Sequence, residues 1–308
     1  MALTDLIIVG AGPAGLTAAL YARRAQKSVL LFEKAVPGGQ MVNTPEVENY
    51  PACGSIAGWE LASRLTEQVS ALGVTPRSEE VIRMEKDKDG FTVFTETDAY
   101  PCRAVILAGG ALRRKLGIPG EEAFAGRGVS YCATCDGAFF RGRPVAVVGG
   151  GNTALEDALY LADLCPDVHL IHRRDNFRAQ AILVDRVRAR SNIHTHMGVV
   201  PVSIEGGQKV NRLVLEDANG LPREALSVDA VFVAVGLSPD NARFSPPVAL
   251  DPQGYIIASE DCHTSTPGIF AAGDTRTKAL RQIVTAAADG AVAATAAIAF
   301  LDGGGCRA

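Results

Sequence analysis

Leu6-Ile7-Ile8-Val9-Gly10-Ala11-Gly12-Pro13-Ala14-Gly15 is an apolar run that ends in Gly-x-Gly-x-x-Gly. Residues 16–25 continue as a helix, and the next apolar run, 29–32, ends on Glu33. A strand feeding a glycine turn that opens a helix is the setting in which this motif holds a dinucleotide. Gly10, Gly12 and Gly15 permit the tight turn and let the backbone approach a pyrophosphate. Pro13 and Ala14 begin the helix whose N-terminus stabilises the phosphate charge. Glu33 lies 18 residues beyond Gly15. It is placed to accept hydrogen bonds from a ribose, which favours a cofactor with free ribose hydroxyls.

The pattern recurs. Pro144-Val145-Ala146-Val147-Val148-Gly149-Gly150-Gly151-Asn152-Thr153-Ala154 reads Gly-x-Gly-x-x-Ala. Gly149, Gly151, Asn152, Thr153 and Ala154 form the second turn, and residues 155–164 form its helix. The following strand, 168–171, ends in His172-Arg173-Arg174, with Arg178 close behind. Cations stand where the first copy has an acid. Guanidinium groups grip a 2′-phosphate through paired charge-assisted hydrogen bonds, and an acid repels it. The second site therefore predicts NADPH. One such motif in a glycine-rich chain is weak evidence; two in the same strand–helix–strand setting are not a coincidence.

Composition agrees with two nucleotide domains. A chain of 308 residues that is 47% apolar can bury two cores of ordinary size. Its 32 glycines and 6% aromatic content suit α/β architecture with many tight turns. The net charge of −4 argues against a broad nucleic-acid-binding surface. The N-terminal residues enter a strand almost at once, without a basic and then apolar leader, so a cytoplasmic location is expected. The alanine-rich stretch 283–301 contains Asp289 and Gly290 and is read as a buried helix rather than a membrane span.

Two dinucleotide sites with opposite ribose chemistry imply two cofactors. NADPH gives up a hydride, and FAD is suited to accept it and to release the electrons to sulfur. The run 266–274 is an apolar strand ending in Gly273-Asp274. Asp274 is placed either to bind ribityl hydroxyls or to cap a turn. The FAD motif opens the chain, the Gly-Asp strand comes near its end, and the NADPH motif lies between. The sequence thus predicts two Rossmann-like domains, with the NADPH domain inserted into the FAD domain. The boundaries fall at 1–112, 113–240 and 241–308, with joints near Gly109-Gly110 and Gly236-Leu237-Ser238-Pro239.

Seven cysteines are present, and five of them, Cys53, Cys102, Cys165, Cys262 and Cys306, are scattered. They read as reduced thiols. Cys132-Ala133-Thr134-Cys135-Asp136 is a CxxC, which serves redox chemistry or a metal. Zinc needs two further ligands at compatible spacing, and the sequence supplies none, so no metal is expected. Thiol–disulfide exchange needs a proton source for the leaving thiolate. Asp136 is placed either to supply it or to form a turn with Gly137.

In order and spacing these residues resemble the low-molecular-weight thioredoxin reductases over nearly the whole chain. The resemblance extends to Gly38-Gly39-Gln40, Glu46-Val47-Glu48-Asn49-Tyr50-Pro51 and Arg281-Gln282-Ile283. It implies a homodimeric flavoenzyme that passes electrons from NADPH through FAD and a Cys132–Cys135 disulfide to thioredoxin. It further implies that Lys34, Gly39, Gln40, Asn49, Val81, Gly273, Asp274, Arg281, Gln282 and Ile283 contact FAD. Cys135 would lie nearer the flavin, Cys132 would attack the thioredoxin disulfide, and Asp136 would be the acid–base residue. Ferredoxin–NADP reductases of this build lack the CxxC. A non-catalytic redox-sensing module has no need of two intact cofactor motifs. Because nicotinamide and dithiol share one domain and must both reach one flavin, the NADPH domain is expected to swing on its joints.

Overall fold

The computed structural model describes residues 3–44, 47, 49–88, 90–217 and 219–303, apart from the side chains of Asn43 and Cys135. Glu46, Glu48 and Cys306 lie outside the described residues. The chain divides into two compact units, Met1–Leu112 with Ser238–Ala308, and Arg113–Leu237.

In the first unit the strand Thr4–Val9 is central. It pairs in parallel with Val29–Glu33 on one side and Ala99–Leu107 on the other. Leu6, Ile7 and Ile8 are fully buried, as expected of a parallel strand covered on both faces. Phe91–Thr95 and Val81–Lys86 extend the sheet in antiparallel fashion. Ile269–Ala271 returns from far along the chain to pair in parallel with Val105–Leu107.

The helix Pro13–Arg24 starts with proline in its first turn and ends with Arg23 and Arg24, which suit its dipole. A Cβ on Gly15 would lie 1.8 Å from the Gly10 carbonyl oxygen, so the helix can sit this close to the turn only with glycine there. The last helix, Ile283–Leu301, packs against the first through Gly290, where a Cβ would lie 2.1 Å from the Ala14 carbonyl oxygen. The sequence reading made this helix buried. The structure buries one face, Ala286, Asp289, Gly290, Ala293, Ala294, Ala297 and Leu301, and leaves Val284 and Val292 exposed. Small alanines let one face seat closely without enclosing the other. Among the described residues it is the one helix long and apolar enough to cross a membrane.

The second unit is a parallel sheet in the order Ile193–Met197, Val168–His172, Val145–Val148, Ala230–Val233, Val129–Ser130. The helix Asn152–Ala162 follows the central strand, and Val199–Gly206 pairs with Val210–Asp217 in a separate ribbon. The chain leaves this unit after Leu237, three residues before the boundary placed at 240 from sequence. Within those three residues Asp240 pairs with Arg243 at 2.9 Å and with Lys34 at 3.7 Å, both of the first unit, and after it comes Asn241. Its amide donates to the carbonyls of Gly254 and Thr275, both at 3.0 Å, and Thr275 Oγ1 donates to Asn241 Oδ1 at 2.7 Å. These bonds tie the segment to the first unit.

Three histidines share one face at the edge of the second sheet. His169 and His194 are register partners, and His169 Nδ1 lies 3.1 Å from His196 Nε2. Burial, and then the neighbouring imidazoles, push His169 from 6.5 down to about 4. A folded-state value below the unfolded one means that the unfolded chain takes up the proton first. This contribution to stability is present above 6.5 and is lost as pH falls toward about 4. Thermal melts across that window should show a falling melting temperature, and His169→Asn should flatten the slope.

Candidate functional site

In the first unit the ends of the parallel strands enclose a cavity of about 400 Å³. Gly10, Gly12, Pro13 and Ala14 line it from the glycine turn. Glu33 and Lys34 line it from the end of the second strand, with Gly39, Gln40 and Val81 beyond. Gly273, Asp274, Gln282 and Ile283 come from the last third of the chain. Bare backbone faces the cavity at two points, since the Cα of Gly39 lies 4.0 Å from where a Cβ on Gly12 would stand.

Three residues expected at the cofactor are not on this wall. Gly15 is used in packing beneath the turn. Asn49 donates to Gln282 Oε1 at 3.0 Å and so holds a wall residue. Arg281 lies over the Tyr255 ring at 4.1 Å, and its Nη2 donates to the Arg276 carbonyl at 3.4 Å.

The polar groups fit a dinucleotide. The Glu33 carboxylate accepts the Ala11 and Ala35 amides at 2.8 and 2.9 Å, which fixes it and leaves lone pairs for a ribose. Asp274 Oδ1 is buried without a hydrogen-bond partner among the described residues, as are the Nε atoms of Arg243 and Arg281. Burial pushes the Asp274 carboxyl up, while Lys278 and Arg281 pull it back. An unpaired buried acceptor is costly, and cofactor hydroxyls would relieve it. The residues present therefore fit FAD.

Sequence reasoning missed the ionic group beside Glu33. Arg243 pairs with Glu80 and Asp240, at 2.5 and 2.9 Å, and Lys34 reaches Glu80 at 3.2 Å. Hydrogen bonds from Arg243 and then Lys34 hold the Glu80 carboxyl below its usual range. No local pattern marks these residues, because they meet only in the folded chain.

In the second unit Gly149 and Gly151 bring the strand Val145–Val148 into the helix that begins at Asn152. Thr153 and Ala154 follow in its first turn, with Ala154 fully buried. Asn152 Oδ1 accepts the Gln180 amide at 2.9 Å, so its side chain braces a loop. Arg173, Arg174 and Arg178 are exposed, and no ion pair among the described residues involves them. They are three cations available to an anion. His172 is different: it is buried, its Nε2 lies 3.1 Å from the Asn176 carbonyl, and it stacks on Phe177. Burial lowers its pKa, and the three arginines lower it further. Its ring supports the strand end.

Cys132 is disulfide-bonded. The Cys135 side chain, its partner by sequence reading, lies outside the described residues. The short helix Ala133–Asp136 follows, with the Asp136 amide donating to the Cys132 carbonyl at 3.1 Å. Ala133 is fully buried in one core with Leu155 and Leu161 of the nucleotide-turn helix. Gly137 is pressed so close to that helix that a Cβ would stand 2.9 Å from Leu161 Cδ2. The dithiol turn is thus seated on the helix that begins at the second glycine motif.

Two hydroxyls near the sulfur were not foreseen. Thr134 Oγ1 is 3.4 Å from Cys132 Sγ, and Ser130 Oγ donates to Asp136 Oδ2 at 2.5 Å. Tyr131 donates to the buried Glu121 at 2.8 Å, and burial together with that bond raises its pKa. Deeper in the unit, burial pushes Asp157 up to about 7 against the pull of Arg113.

A family model described as pyridine nucleotide-disulphide oxidoreductase matches residues 4–290. The chain belongs to that family. Within it, this chain is 46% identical to the thioredoxin reductase of Listeria innocua over 290 residues, 94% of this chain and 91% of that one. It is 44% identical to the thioredoxin reductase of Treponema pallidum, covering 97% of each. Among solved structures it resembles thioredoxin reductase from Lactococcus lactis, with a TM-score of 0.89 and 42% identity over 97% of this chain and 99% of the other. The α/β fold of the family, two Rossmann-like domains for FAD and NADPH, accounts for the two glycine turns described above.

Asp274→Ala removes the unpaired buried acceptor of the flavin cavity. It should weaken FAD retention about 10-fold or more, the scale of a hydrogen bond to a charged group. Flavin absorbance per protein after gel filtration, and fluorescence titration of the apoprotein, measure it.

Proposed function

We propose that this chain is a thioredoxin-disulfide reductase, taking electrons from NADPH through FAD to the Cys132–Cys135 disulfide and on to thioredoxin. The observation that carries this reading is the disulfide at Cys132, held beside Asp136 on the helix of the NADPH turn. FAD supplies the two-electron exchange between nicotinamide and disulfide.

The chain's own residues hold and orient. Gly10, Gly12 and Gly39 admit the pyrophosphate, Glu33 receives a ribose, and Asp274 receives the ribityl chain. Arg173, Arg174 and Arg178 hold the 2′-phosphate of NADPH. When the disulfide opens, one sulfur leaves as a thiolate, and Asp136 gives it a proton. Thr134 can donate to the Cys132 sulfur meanwhile. Burial pushes Cys102 and Cys262 up to about 12, so neither thiol competes in exchange.

We further place the enzyme in the cytoplasm as a homodimer. The free thiols of Cys53, Cys102, Cys165 and Cys262 support the location. The exposed Trp59, Val284 and Val292 offer apolar surface to a second copy.

NADPH oxidation in the presence of thioredoxin tests the reading. Cys132→Ser should keep flavin reduction by NADPH and lose thioredoxin reduction, and Cys135→Ser should lose thioredoxin reduction as well. Full activity of both variants with thioredoxin would sink the assignment. The double change Arg173→Ala and Arg174→Ala should raise the KM for NADPH by about 10-fold or more, with little change for NADH. Steady-state kinetics with both nucleotides measures it.

A further inference from the structure

A carboxyl that gives up a proton in one step and regains it in the next must be hydrogen-bonded in both states. If either state is left unpaired, that state is penalised. Asp136 has one described side-chain partner, the hydroxyl of Ser130 at 2.5 Å. The same oxygen receives the Cys132 amide at 3.1 Å and lies 3.3 Å from the Cys132 carbonyl oxygen. Ser130 is 5% exposed, so water has poor access to replace it. It is also fixed from behind. It ends the strand Val129–Ser130, which pairs in parallel with Ala230–Val233 through Ser130 and Phe232.

A hydroxyl has one proton to donate and two lone pairs. The Cys132 amide takes one lone pair. The remaining proton and lone pair can be arranged in two ways. With Asp136 ionised, the hydroxyl donates to Oδ2. With Asp136 protonated, the carboxyl donates into the free lone pair, and the hydroxyl proton turns to the Cys132 carbonyl. Both arrangements use oxygen positions already present: the Ser130 hydroxyl hydrogen rotates, and the Asp136 proton swings from Ser130 to the thiolate as it is transferred.

We propose that Ser130 is the positioning residue of the proton transfer: its hydroxyl reverses direction as Asp136 loses and regains its proton, while it holds the Cys132 peptide in place. The proposal rests on the reading of Asp136 as the proton donor. In the step itself the Asp136 proton passes to the released thiolate, giving a thiol and a carboxylate, and no electrons move. The Ser130 proton stays on its own oxygen and changes acceptor from the Cys132 carbonyl to Asp136 Oδ2.

The test compares wild type, Ser130→Ala, Ser130→Thr, Asp136→Asn and the double variant Ser130→Ala with Asp136→Asn. Stopped-flow measures flavin reduction by NADPH and, separately, the thioredoxin-dependent reoxidation of the reduced enzyme as a function of pH. Ser130→Ala should retain flavin and its reduction by NADPH. It should slow reoxidation by about 10-fold, the scale of one hydrogen bond to a charged group. Ser130→Thr keeps the hydroxyl and should restore the wild-type rate of reoxidation. In the Asp136→Asn background, Ser130→Ala should cost much less, only what the lost Cys132 amide bond contributes. Wild-type reoxidation by Ser130→Ala, or the same loss in both backgrounds, overturns the proposal. Wild-type reoxidation by Asp136→Asn overturns the reading of Asp136 beneath it, and the role of Ser130 with it.

Discussion

A carboxylate buried in the middle of an alanine-rich helix needs partners, and the first unit is arranged around supplying them to Asp289. The Gly273 amide donates to it at 2.9 Å, Arg276 donates through Nε and Nη2 at 2.9 Å each, and Lys278 donates at 2.8 Å. Burial drives its pKa up, but these donors outweigh burial and hold it below the usual range. Arg276 is 1% exposed, and loss of Asp289 would leave its buried guanidinium with the solvent-exposed Glu260 at 3.4 Å and the Thr277 carbonyl at 2.9 Å, a defect approaching the loss of about 3–5 kcal/mol that follows a broken buried pair. The residue after Asp289 is Gly290, which seats on Ala14 of the first helix. One buried charge therefore fastens the turn that presents Asp274 and borders the contact that places the first glycine motif.

The second unit sets its dithiol by packing rather than by charge. Ala133 and Gly137 are small because the helix of the nucleotide turn passes directly beneath them. The two units also treat the strand end after the glycine turn in opposite ways. Glu33 is held by two backbone amides at a cavity wall, whereas Arg173 and Arg174 are exposed. A fixed acid selects hydroxyls, and exposed guanidinium groups select a phosphate.

The residues whose meaning lies in short spacing were legible from sequence. Both glycine turns, the acid after the first, the cations after the second, and the CxxC with its aspartate are local patterns, and each follows from one strand–turn–helix geometry. Tertiary partnerships were not legible. Ser130 reads as an ordinary strand residue until the helical turn after Cys132 folds Asp136 back onto it. Glu80, Asp240 and Arg243 carry no motif. His172 sits in the cationic motif, yet its ring is taken up by Phe177 and the Asn176 carbonyl. Nor could the sequence show that Asn49 bonds to Gln282 and that Arg281 lies over Tyr255. The boundary after Leu237 brings Asp240 to Lys34 and Arg243 of the first unit, which composition cannot reveal.

The pairing of Ile269–Ala271 with Val105–Leu107 bears on how the chain emerges from the ribosome. The inserted unit, Arg113–Leu237, is complete in sequence before Ile269 has been made. Until then the nascent first unit carries an open edge at Val105–Leu107, apolar and ready to accept another strand. Synthesis at about 5–20 residues per second leaves that edge uncovered for several seconds or more. The order of translation thus creates a window in which the nascent chain is exposed to mispairing, and a chaperone that shields strand edges would act on it there.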